Sequence, residues 1–311
     1  MKLGVIGLGT VGMNVIKILT EEKDRRNKEI GDIEILKVCD IKSDNSMGYD
    51  FTDNYKEILD DPRIDTVVEL IGGVGAAYDI SKSTLNSKKN LVTANKHLLA
   101  LHGKELFSLA EKNNVKLQYE ASVGGGIPVI SPIKENLFVN NFKNIRGILN
   151  GTCNYILTKM EEGMSYSKAL EDAQLKGYAE ADPTFDVKGV DTAHKISILA
   201  HLAWGELKEF SEISIVGIDG LTKNDIEIAK SNGLRYKLLG EANFDGCELS
   251  IRVAPVAVKK DELLYSVNGV YNAVELDGNY TGKTIFYGEG AGGNATATAV
   301  ISDIYKINLG G

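Results

Sequence analysis

At 311 residues the chain is too long for one ordinary core and suits two domains of roughly 150 residues each. A composition of 43% hydrophobic and 25% charged residues is that of a globular protein and excludes wholesale disorder. The net charge of −8, with no lysine- or arginine-rich face or tail, argues against nucleic-acid binding, which needs a basic footprint.

In chain order, Lys2 to Ile6 reads as a short apolar strand and Val11 to Leu19 carries helical spacing. The mixed-sign run from Glu21 to Lys28 reads as a solvated helix end and loop. A strand from Ile33 to Cys39 ends at Asp40. A short helix near Tyr55 to Leu59 precedes a strand from Thr66 to Ile71. A helix around Asp79 to Ser87, a strand Asn90 to Thr93, a helix His102 to Lys112 and a strand Lys116 to Tyr119 follow. This βαβαβ succession predicts a mostly parallel sheet with helices on both faces, binding ligands at the carboxyl edge of its strands.

The character changes near Ser122. A helix is expected from Val129, a strand from Ile145 to Leu149, and a helix opened by Thr152 as N-cap. Further helices are expected over Ser165 to Lys176, stopped by Gly177, and over Val190 to Trp204. Strand-like patterning between Leu238 and Val258, a strand from Thr284 to Tyr287 and a helix from Ala295 to Tyr305 complete the chain. The expected class is α/β, with a doubly wound N-terminal domain over residues 1–128, completed by 292–311, and an α+β domain over 129–291.

The sharpest motif is GVIGLGTVG at the strand-to-helix junction. Gly7 permits the tight turn, Gly9 lets the backbone approach a pyrophosphate, and Gly12 allows close helix–strand packing. Thr10 and Val11 open the helix whose free N–H groups and dipole meet the anion. Together these features point to a Rossmann dinucleotide site. Asp40, at the end of the second strand, suits ribose hydroxyls and favours NAD over NADP; a strand-end Asp capping a turn is the other reading. Gly288 to Gly293 repeats the glycine spacing too near the end to start a second such unit. It is expected to turn the last helix back onto the first domain and bring Gly292 to the cofactor; a plain glycine-rich turn is the alternative.

Candidate chemistry clusters elsewhere. Asp191 and Lys195 are four apart on a helix and face the same way, either as a surface ion pair or, given the apolar residues from Ile196 to Trp204, as a partly buried pair. That neighbourhood predicts burial of at least the later turns, and a lysine near a buried region can exchange protons with an alcohol. Lys96 follows Thr93 at the carboxyl edge of the sheet, where a lone lysine on a loop would otherwise be solvated. Glu120 precedes a bend rich in free carbonyls that could hold a hard cation, and no His/Cys cluster supports zinc. Cys39, Cys153 and Cys247 are too dispersed for a disulfide framework and read as buried thiols, although Cys153 at a helix start could have a lowered pKa.

GLGTVG, TANK, EASVGGGIP, LNGTCNYIL, GYAEADPTFDVKGVDTAHK and GEGAGG, in this order, resemble the homoserine dehydrogenase family over nearly the whole chain. The resemblance implies reversible oxidation of L-homoserine to L-aspartate 4-semialdehyde with NAD or NADP, in threonine and methionine biosynthesis. It makes Lys195 the proton donor and acceptor at the substrate oxygen and places Lys96 beside the nicotinamide. Glu180 and Asp191 would bind homoserine, and Gly177 and Gly292 would add cofactor contacts. Glu120, Val123, Gly125 and Ile127 match that family's sodium site. The resemblance further implies a homodimer through the second domain's sheet. Neither an ACT domain nor an aspartate kinase is expected, so direct threonine feedback through such a domain is not expected either. The opening on a strand without a leader, and the lack of an apolar run of ~20 residues, suggest a cytoplasmic protein free of the membrane. Three rivals stand beside this reading: a sugar dehydrogenase of similar build, an aspartate-semialdehyde dehydrogenase using a cysteine, and a redox-sensing NAD-binding regulator.

Overall fold

The computed structural model describes residues 1–22, 31–42 and 48–310. Most of the charged run from Glu21 to Lys28 lies outside the described residues. The chain divides into two compact units, Met1–Gly126 with Gly292–Gly311, and Ile127–Ala291.

The first unit is built on β1 (Lys2–Ile6), β2 (Glu34–Cys39), β3 (Asp50–Thr52), β4 (Thr66–Glu69), β5 (Asn90–Thr93) and β6 (Leu117–Gln118). All pair in parallel, in the order β3-β2-β1-β4-β5-β6. This is the doubly wound order, with its switch point between β1 and β4. Its helices are α1 (Thr10–Glu21), α2 (Lys56–Asp60), α3 (Gly75–Asn86) and α4 (Lys96–Asn113).

Alternation along the strands supplies both faces of this sheet. Val5, Val38 and Val68 pack with Val15, Ile16 and Leu19 of α1. Their neighbours Ile6, Cys39 and Val67 point the other way, onto Ile58 and Leu59 of α2 and Ile80 of α3. The first face is completed by the last helix of the chain, Gly293–Asn308, which contributes Ala297, Val300, Ile301 and Ile304. Asp303 on that helix, 1% exposed, accepts the Glu120 backbone N–H at 2.7 Å. The last helix thus returns to the first unit.

The second unit holds a sheet in the order β12-β11-β7-β9-β10-β8, antiparallel except for the β10–β8 pair. Its strands are β7 (Phe142–Ile148), β8 (Ser214–Ile215), β9 (Leu234–Phe244), β10 (Leu249–Lys259), β11 (Tyr271–Gly278) and β12 (Gly282–Glu289). The helices are α5 (Gly151–Glu161), α6 (Tyr166–Leu175), α7 (Thr184–Val187), α8 (Val190–Trp204) and α9 (Lys223–Ser231); the last helix of the chain is α10. Gly240 of β9 lets α8 lie directly on the sheet, because a β-carbon there would crowd Ile196 and Thr192.

Several expectations need correction. The helix expected from Val129 is present but short, running over residues 130–136 and widening to a π-helical turn over Pro132–Asn136. Thr152 does not cap α5; Asn150 does, accepting the Cys153 N–H at 2.8 Å. β3, β8, α7, α9 and β11 have no counterpart among the expected elements. α8 is buried from Asp191 to Ala200 and half-buried from His201 onward, so its earlier turns are the deep ones. Cys39 and Cys153 are buried, but Cys247 is exposed.

Candidate active site

The glycine loop of the first unit is shaped by close contacts on two sides and open on a third. Gly7 has φ +101°, and a β-carbon on it would strike the Leu70 backbone. One on Gly12 would collide with the Gly7 carbonyl. A β-carbon on Gly9, the N-cap of α1, meets nothing within 4 Å. Gly7 and Gly12 thus pack the turn, and Gly9 leaves room where the first N–H groups of α1 have no side-chain cap among the described residues. A cavity of about 750 Å³, lined by Gly7, Gly9, Asp40, Lys42 and Ile71 among others, adjoins it. That is a ligand-sized volume. Thr10, Val11, Gly12, Thr93 and Gly292 are not part of its lining.

Asp40 caps the turn, one of the two readings weighed for it, and stands beside the cavity. It lines the cavity, and its carboxylate accepts the Leu8 N–H at 2.7 Å and the Lys42 N–H at 2.8 Å. It therefore ties the glycine loop to the end of β2, and its remaining lone pairs can still accept ribose hydroxyls.

Thr93 is fully buried. Its hydroxyl accepts the Asn95 N–H at 3.0 Å and donates to Glu69 at 2.7 Å. With its proton committed, its backbone rather than its hydroxyl is what remains for a cofactor. Glu69, also fully buried, accepts the Ile71 N–H at 2.9 Å as well, and burial pushes its carboxyl up from the ordinary range. Asn95 in turn holds Gly73 through its carbonyl at 2.6 Å and caps α4 through the Leu98 N–H. Lys96 is therefore the first residue of a helix rather than a loop lysine. An ammonium there meets the positive end of the helix dipole, so helix stability does not explain its presence.

Gly292 has φ +122° and caps α10. Gly293 abuts Thr10 and Asn14 of α1, where a β-carbon would collide. The N-termini of α1 and α10 therefore lie side by side, one opened by each glycine cluster. In the Glu120 bend, Gly124 and Gly125 have positive φ, and the Val123 and Gly125 carbonyls accept no hydrogen bond among the described residues. Glu120 is 3% exposed, with the Lys306 ammonium 3.9 Å from its carboxylate. Ile127 opens the second unit. One carboxylate and open carbonyls are a donor set for a hard cation, although Lys306 already supplies positive charge there.

The second unit gathers the acid–base groups. Lys195 is 9% exposed and donates to Asp191 and to the Leu149 carbonyl, each at 2.8 Å. A lysine ammonium has three donors, so one remains for a substrate oxygen. Asp191 is buried and also accepts from Asn150 at 2.9 Å. The same Asn150 amide reaches Asp186 at 2.7 Å. Gly177 ends α6 with φ +72°. The following loop is held by Thr152, whose hydroxyl donates to the Tyr178 carbonyl, and by Gln174, which donates to the Glu180 carbonyl at 3.1 Å. The exposed Glu180 carboxylate has no partner among the described residues. Cys153 is fully buried and burial pushes its thiol well up, the opposite of the lowering considered for a helix start.

Residues 7–120 match the homoserine dehydrogenase NAD binding domain and residues 128–305 the homoserine dehydrogenase domain. A Helicobacter pylori homoserine dehydrogenase is 45% identical over 99% of this chain and 73% of its own length. This chain belongs to the homoserine dehydrogenase family. A homoserine dehydrogenase structure from Thiobacillus denitrificans superimposes with a TM-score of 0.95 at 38% identity, covering 99% of this chain and 73% of that one. A hyperthermophilic archaeal homoserine dehydrogenase in complex with NADPH gives 0.84 at 27% identity, covering 100% and 98%. The family's NAD binding domain thus spans the glycine loop, Asp40, Glu69 and Lys96, and the chain is an NAD(P)-dependent oxidoreductase.

Two residues of the site escaped the sequence reading. Glu69 left a trace as a lone acid in an otherwise apolar strand, and Asn150 as a capping residue ahead of Gly151-Thr152.

Proposed function

We propose that the chain interconverts L-homoserine and L-aspartate 4-semialdehyde, serving threonine and methionine biosynthesis. The observation that carries the chemistry is the buried Asp191–Lys195 pair, with the lysine's second hydrogen bond anchored on the Leu149 carbonyl. In oxidation a neutral Lys195 takes the proton of the substrate hydroxyl; in reduction its ammonium returns one to the aldehyde oxygen. Bound NAD(P) supplies the hydride acceptor or donor. Glu180 and Asp191 face the substrate ammonium, as carboxylates should, and Lys96 attends the reacting oxygen. Gly7, Gly9, Thr10, Val11, Gly12, Asp40, Thr93, Gly177 and Gly292 form the cofactor contacts, with NAD favoured by Asp40. Glu120, Val123, Gly125 and Ile127 hold a monovalent cation, sodium in this reading. The active form is a cytoplasmic homodimer paired through the second unit's sheet, its protomers divided near residues 128 and 292 into a cofactor and a catalytic domain.

The deciding assay follows NADH or NADPH consumption with aspartate semialdehyde. Turnover should appear in the wild type and fall at least about a thousandfold in Lys195→Met, with NADH binding retained. NADH binding without turnover by well-folded wild-type protein would favour the redox-sensor reading instead. Homoserine oxidation should quicken from neutral pH toward pH ~10, because the neutral amine is the acceptor. A flat profile would remove Lys195 as the base.

A further inference from the structure

Asn150 stands where β7 gives way to α5, with φ −130° and ψ 110°, and it is 5% exposed. Its side chain uses its oxygen on the Cys153 N–H at 2.8 Å and its nitrogen on Asp186 at 2.7 Å and Asp191 at 2.9 Å. The orientation of this amide is fixed by its neighbours. Turned over, it would set its oxygen against two carboxylates and its NH₂ against a backbone donor.

We propose that Asn150 is a positioning residue for proton transfer, its amide holding Asp186 and Asp191 as a pair and so aiming the Lys195 amine. This rests on Lys195 being the proton-transferring group.

Three observations support it. The Asp191 oxygen that Asn150 reaches, Oδ2, is the one that receives the Lys195 ammonium. The amide donor is thus one of the bonds that set the orientation of this carboxylate toward Lys195. Leu149, the adjacent residue, holds Lys195 through its carbonyl. One strand end therefore grips the lysine twice, directly and through Asp191. Finally, two carboxylates sharing one nitrogen, Asp191 buried and Asp186 half-buried, repel each other, and two amide hydrogens aimed at them offset that repulsion.

Capping alone does not require asparagine. Serine and aspartate cap helices about as well, but neither offers two donors to carboxylates. Asn150→Ser and Asn150→Asp therefore separate the two roles. Asn150→Ser should melt close to the wild type and Asn150→Asp below it, because aspartate sets a third carboxylate beside Asp186 and Asp191. Both should bind NADH within about twofold of the wild type, since their caps remain. Both should lose at least about tenfold in kcat for homoserine oxidation, with a larger solvent deuterium isotope effect, because proton transfer becomes the slow step. Wild-type kcat in either variant would overturn the proposal. So would a loss of kcat matched by lost NADH binding at an unchanged isotope effect, or failure of both variants to fold, since each assigns Asn150 a structural role. Lys195→Met, measured alongside, tests the underlying reading separately: wild-type turnover in it would sink that reading whatever Asn150 does.

Discussion

Asp40 ties down a loop and lines a cavity with the same carboxylate, and this changes how its selectivity must be tested. Asp40→Ala would release the Leu8 and Lys42 N–H groups together and weaken binding of either cofactor. Asp40→Asn removes the charge but keeps an acceptor. It should raise the ratio of NADP to NAD efficiency by at least about fivefold, because a carboxylate repels a 2′-phosphate. An unmoved ratio in steady-state assays with both cofactors would show that Asp40 is a brace and not a selector. At this scale, legibility followed distance along the chain. Asp191 and Lys195 declared themselves because they are one helical turn apart. Glu69 meets Thr93 24 residues on, and Asn150 meets Asp191 41 residues on. No local pattern encodes such partners, so only the fold exposed them.

Among the elements, the opening glycines make opposite demands. Gly12→Ala forces its methyl onto the Gly7 carbonyl, so the β1–α1 junction must open. Its melting temperature should fall by several degrees. Gly9→Ala projects into open space and should melt like the wild type, yet weaken NADH binding about tenfold or more by filling the anion's place. Equal NADH affinity in Gly9→Ala and wild type, by fluorescence titration, would remove the pyrophosphate from this loop. Parallel strands and their helices were readable because β1, β4 and β5 are short apolar runs between polar turns. The start of α4 was not: Leu98, Leu99 and Ala100 are all buried and blur any helical face, while its signal, the Asn95 cap, is one residue. β11 escaped for the related reason that Ala273 to Leu276 are buried on both faces of the sheet.

Across the whole molecule, the second unit carries an unusual internal charge. Lys237 on β9 is 1% exposed and is held by the Asn154 and Asn268 side chains and the Val267 carbonyl. Burial lowers its ammonium from the ordinary 10.5 to about 8. Above pH 8 the native lysine has shed a proton that the unfolded one keeps up to its ordinary value. Stability therefore rises with pH between these limits, by about 3 kcal/mol at most for that interval. Comparing wild type with Lys237→Met by denaturant unfolding from pH 8 to 10 should show the gain in the wild type and not in the variant. Parallel slopes would mean that water or a neighbour keeps Lys237 charged.

The return of α10 to the first unit has a consequence in time. Residues leave the ribosome in order, so the segment from Ile127 to Ala291 is complete and free to fold while the NAD binding unit still lacks Val300, Ile301 and Ile304 of its core. The half begun first is the half finished last, and the nascent chain should gain NADH affinity only after the final helix has emerged.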